Sequence, residues 1–101
     1  MAVKKVYAGI HNEKHGAMNP TGNIIRDAWV FGLIPETETC EGWLSQGIDA
    51  LYDKVTKAWE PYGHMVSQLP PDLQEKHRRI YDEAIRNARE KGWDPELDNE
   101  N

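Results

Sequence analysis

Near the start of the chain, His11 and His15 stand four residues apart with Glu13 between them. On a helix, imidazoles at that spacing share a face and can grip a divalent cation. Zinc takes three or four protein ligands, so a third has to come from His64, Cys40 or a further carboxylate. This is not the zinc-protease pattern, because the acid sits one position too late. The surrounding stretch HNEKHGAMN is polar and punctuated by Gly16, which argues for a loop rather than a helix. A divalent metal or small ligand held by His11, His15 and His64 is therefore an alternative reading, and no cofactor is the leading expectation.

Cys40 is the only thiol. A nucleophilic cysteine needs a cation or a helix N-terminus to lower its pKa. Glu36, Glu38 and Glu41 surround this one and favour the neutral thiol, so no Cys40–His64 pair is expected. His77 falls on the apolar stripe of a helix, where a hydrogen-bonded boundary histidine is the default. Lys76, Arg78, Arg79, Arg86, Arg89 and Lys91 are interleaved with Glu75, Asp82, Glu83 and Glu90. That mixed field, in a chain of net charge −5, does not track a phosphate backbone, and nucleic acid is not expected as a partner. No glycine-rich phosphate loop follows a strand, and no carboxylate pair is placed for acid–base work.

The other chemical signal is aromatic. Trp29, Phe31, Trp43, Trp59 and Tyr62 lie near Pro35 and Pro61, at the ends of predicted helices. Rigid aromatics at helix ends are the material of protein interfaces. They are equally what a small domain uses to fill a thin core.

The elements that position these residues follow from periodicity. The most apolar run is NPTGNIIRDAWVFGLIP, from Asn19 to Pro35. It predicts a helix over 21–32, capped by Thr21, apolar nearly all round and broken only by Arg26 and Asp27; such a helix is normally buried. Burying its Ile, Trp and Phe side chains stabilises by roughly 1.5–3 kcal/mol each before entropy is charged. A second helix is predicted over 43–60, with Leu44, Ile48, Leu51, Tyr52, Val55 and Trp59 at helical spacing. A third runs over 71–91, opened by Pro71 and closed by Gly92, with Glu75–Arg79, Asp82–Arg86 and Arg86–Glu90 as i, i+4 pairs. Between them PYGHMVSQLPP is a loop that should tuck in Met65, Val66 and Leu69. Residues 2–10 alternate as a short strand or extended arm. A lone strand must lie along the helices or pair with a second copy.

The 101 residues, with mean hydropathy −0.78, fit one domain. The expected fold is all-α: a three-helix domain over 1–93 with an N-terminal arm, and a disordered acidic tail over 94–101. The second and third helices should form an antiparallel pair with the first in their groove. One cysteine, no signal-like apolar run and no stretch of about 20 apolar residues suggest a cytoplasmic protein with no membrane partner. The expected function is a small interaction or accessory module without intrinsic catalysis, binding a protein partner or itself through the aromatic surface.

Overall fold

A computed structural model describes residues 6–94 as an all-α domain. Its three helices are α1 (Pro20–Val30), α2 (Ser45–Trp59) and α3 (Pro71–Glu90). Short 3-10 turns at Lys14–Ala17, Glu60–Tyr62 and Val66–Gln68 connect them. No described helix is long and apolar enough to cross a membrane. Residues 1–5 of the expected arm, and all of the expected tail except Asp94, lie outside the described residues.

The caps explain the boundaries. Asn19, not Thr21, caps α1: its Oδ1 accepts from the Gly22 N–H at 2.8 Å, and Pro20 takes the first helical position, where a missing N–H costs nothing. Gly32, at φ +68°, supplies the left-handed exit. Its N–H reaches the Trp29 carbonyl and the Leu33 N–H reaches that of Ala28, the paired bonds of a Schellman motif. Gly92 closes α3 in the same way, with Trp93 donating to Ala88 at 2.9 Å. Trp43 and Leu44 fall outside α2, because the backbone at Trp43 pairs with the arm.

Packing departs from the expected α2–α3 pair. Helix α1 packs against both α2 and α3, which barely meet each other. The reason lies in α1 itself: Ile25, Arg26, Ala28, Trp29 and Val30 are all buried, so it needs cover on more than one side, whereas α2 and α3 each have one apolar stripe. Ile25, Val30, Cys40 and Val55 are wholly enclosed. In the connecting loop only Leu69 is buried; Met65 and Val66 are exposed. The expected ion pairs of α3 also rearrange. Arg79 reaches across to both oxygens of Glu36 at 3.0 Å, and Glu75 pairs with Arg78 instead.

The described part of the arm forms no strand and lies on the 39–43 loop rather than on the helices. Tyr7 exchanges two backbone bonds with Gly42 and Trp43, both at 2.8 Å, and the Ile10 N–H donates to Thr39. Gly9, at φ +101°, reverses the chain and breaks the alternation, so Ile10 is buried while Val6 and Ala8 are exposed.

One carboxylate joins the three helices. Asp27 of α1 accepts from the Tyr81 hydroxyl of α3 at 2.5 Å and from the Trp59 indole N–H of α2 at 3.1 Å. Burial, and then the Asp27 charge, push the Tyr81 phenol well up, so it stays a neutral donor. His77 stacks on Tyr81 at 4.4 Å between ring centroids and meets Trp59 edge-on at 6.2 Å.

Removing the carboxylate leaves the Trp59 indole with no acceptor and the Tyr81 hydroxyl with only the Asn23 carbonyl at 3.1 Å, so Asp27→Ala should destabilise the domain by roughly 1–3 kcal/mol, read as a lower urea midpoint. An unchanged midpoint would show that Asp27 does not join the helices. Two glycines offer a matched comparison. A Cβ at Gly16 (φ +68°) meets the Ala88 backbone at 2.7 Å, whereas one at Gly32, also φ +68°, meets nothing within 4 Å. Gly16→Ala should therefore cost about 2–4 kcal/mol and Gly32→Ala about 1–2 kcal/mol, and equal losses would contradict the close approach. Burial also lowers the His77 pKa, with Asp27 opposing. The folded state thus binds fewer protons than the unfolded chain. This contribution to stability is complete above the ordinary imidazole value near 6.5 and is lost as pH falls toward the depressed folded value. Urea midpoints measured from pH 8 down to about 5 should show that slope, and His77→Gln should flatten it.

Candidate functional site

The five aromatics singled out by sequence do not share one surface. Trp29 and Trp59 are each only 8% exposed, and both indoles are engaged, Trp29 donating to the Glu38 carbonyl at 3.0 Å. Phe31 meets Trp59 edge-on at 5.1 Å and stacks on Tyr62 at 6.3 Å, so these three form one cluster, with Phe31 and Tyr62 half-buried. Trp43 stands apart. It lies beside Val6 and Ile48 in a groove of about 230 Å³ between the arm and α2. Around it Val6, Leu44 and Tyr52 are exposed. Tyr52 of α2 and Leu44 just before the helix face outward, Ile48 is half-buried against the core, and Leu51 and Val55 enter it.

The three candidate metal ligands are not gathered. Among the described residues, no group of three or more His, Cys, Asp and Glu side chains is placed to hold a metal ion. His15 sits in the left-handed turn at φ +57°, and His64 follows Gly63 at φ +59°, both exposed. The spacing of His11 and His15 therefore has no helix to act on. Glu13 is engaged elsewhere, accepting from the Tyr7 hydroxyl and from the Asn19 amide. Burial, then the Glu13 hydrogen bond and charge, push the Tyr7 phenol up. Cys40 is wholly buried, and burial followed by Glu38 pushes its thiol up to about 11, an inert neutral group.

One cleft, beside the left-handed turn that precedes α1, was not anticipated from the sequence. A cleft of about 350 Å³ opens between the 10–16 segment, α1 and α3. Ile10, Trp29 and Ile80 make its apolar floor, and Glu83, Asn87 and Glu90 of α3 stand along one wall. Arg26 also lines it, 3% exposed. Its guanidinium donates to the Gly16 carbonyl at 2.5 Å, to Ala17 at 3.0 Å and to the Asn23 side chain at 3.2 Å. All three acceptors are neutral, and burial lowers the Arg26 pKa, though a guanidinium keeps its proton in water's range. His15, Gly16 and Ala17 all have positive φ, and this left-handed turn is what presents the carbonyls.

The other cations around the cleft are also engaged. Arg79 is paired with Glu36, and the Lys91 ammonium donates to the His11 carbonyl at 3.0 Å. Glu83, Asn87 and Glu90 recur at i, i+4 and i+7, a signal the sequence does carry. It reads there as a solvated face, since nothing in the pattern announces the 10–16 segment as the opposite wall. Comparison with protein families, with curated proteins and with solved structures finds no match to this chain.

Proposed function

We propose that this chain is an interaction module acting without catalysis, and that it docks a second copy of itself on the face made by the arm with exposed Leu44 and Tyr52. The observation that carries this reading is the open arm beside exposed apolar side chains. Tyr7 turns both its backbone groups toward the 42–43 loop. Backbone groups of extended chain alternate in direction, so those of Val6 and Ala8 face outward. The Ala8 carbonyl accepts from the Asn12 side chain, while the Val6 and Ala8 N–H groups have no acceptor among the described residues. An unpaired extended edge recruits another edge, and the same edge on a second copy closes the pair across a two-fold axis.

The adjoining apolar surface supplies the hydrophobic part. Val6 is 54% exposed and Tyr52 53%, Leu44 is exposed as well, and Trp43 and Ile48 are half-buried against the core. Of the aromatic set named from sequence, Trp43 is the member that serves this face. Trp29, Phe31, Trp59 and Tyr62 lie elsewhere, in the core and in the cluster at the end of α2.

Sedimentation equilibrium on untagged protein tests the proposal. The wild type should form a concentration-dependent dimer. Leu44→Glu with Tyr52→Glu, both at exposed positions, should yield a folded monomer. A wild type that stays monomeric through the micromolar range would sink self-docking, and so would a dimer indifferent to the double substitution.

A further inference from the structure

We infer that the cleft between the 10–16 segment and α3 is a binding site for a primary ammonium group carried on a short apolar stem. This is a different site from the docking face on α2 and does not depend on it. At about 350 Å³ the cleft stands at the small end of ligand pockets, room for one side chain or one small amine.

The charge of the lining has to be read group by group. Glu36, Glu83 and Glu90 line the cleft with Arg26 and Lys91, and Arg79 reaches Glu36 from outside it. The difference lies in which groups are already occupied. Arg79 and Glu36 neutralise each other through two 3.0 Å bonds. Arg26 is held by three neutral oxygens of the chain, and the Lys91 ammonium by the His11 carbonyl. Glu83 and Glu90 have no hydrogen bond or ion pair among the described residues, and neither has the Asn87 side chain. An incoming group therefore finds an amide oxygen and two carboxylates without a bonded partner, Glu83 lying in the field of Arg79, above an apolar floor.

Geometry adds to this. Glu83 and Glu90 are about 10 Å apart along the axis of α3, with the Asn87 amide between them. The farther one lies in the last turn, where the helix carbonyls favour a cation. The stem would lie on Ile80 and the Trp29 ring, which an aliphatic chain can cover without breaking a hydrogen bond, because the Trp29 N–H is already held by Glu38. An anion would face the two carboxylates with no uncommitted cation to receive it. A neutral alcohol would bury its stem but gain no charge-assisted hydrogen bond.

The test is a titration followed by NMR on isotopically labelled protein. The probes are n-butylammonium and a short acetylated and amidated peptide with a single lysine. The controls are n-butanol and butyrate. Saturable shifts of the Trp29 indole N–H and of the Glu83, Asn87 and Glu90 amides are expected with the amines alone. Tighter binding of the peptide assigns the site to a lysine side chain of a protein, and tighter binding of butylammonium assigns it to a free amine. Glu83→Gln with Glu90→Gln, both at exposed positions, should weaken the amines by about ten-fold or more. The proposal is overturned if butanol or butyrate binds as well as the amines. It is equally overturned if the double variant binds them unchanged, or if neither amine gives a saturable shift.

Discussion

Two adjacent residues of α1, Arg26 and Asp27, hold the rest of the molecule in place. Neighbours on a helix point about 100° apart, so the pair faces two different parts of the chain. Asp27 turns to the other helices and gathers one donor from each. Arg26 turns to the left-handed turn before α1 and satisfies its carbonyls. Arg26 is buried and Asp27 half-buried; a charge out of water is tolerated where it is hydrogen-bonded, and each of these is bonded by groups from a different segment. The apolar residues around them supply most of the driving force, but contacts among Ile, Val and Trp side chains do not fix direction. The polar pair does, which is why α2 and α3, each with an ordinary amphipathic stripe, settle around α1 rather than pairing directly.

That role was the part hardest to read in the sequence. The helices themselves were legible: α2 and α3 from their spacing, α1 from its apolar run, and the ends of α1 and α3 from Gly32 and Gly92, whose lack of a Cβ makes them the obvious left-handed exits. Arg26 and Asp27 read as two interruptions of an apolar face. Their partners Gly16, Ala17, Trp59 and Tyr81 are distant in sequence, and periodicity carries no information about distant partners. The same limit applies to capping. Thr21 and Asn19 are both good caps, and only the position of Pro20 at the first helical residue decides between them.

The site reading separates along the same line. Histidines and aromatics stood out because their chemistry is local to the side chain. Their spacing had meaning only on particular elements, and neither His11 nor His15 lies on an α-helix. The cleft depends on two walls from opposite ends of the chain, one of which is an irregular segment with three consecutive left-handed residues. His15 and Ala17 adopt that conformation without being glycine, at a cost of about 1–2 kcal/mol each, and the Arg26 hydrogen bonds and the packing on α3 offset it.

The close approach of Gly16 to Ala88 has a consequence for how the chain assembles. It joins a residue near the start of the described chain to one in the last turn of α3, and Tyr81 reaches back to Asp27 over a similar span. Closing loops of that length costs entropy before any contact repays it. A ribosome delivers α1 and α2 well before the end of α3, so the early nascent chain holds Asp27 with one donor and the Arg26 turn with no helix against it. The cleft comes into being only with the final helical turns, and a chain cut short before them has the residues of one wall and no site.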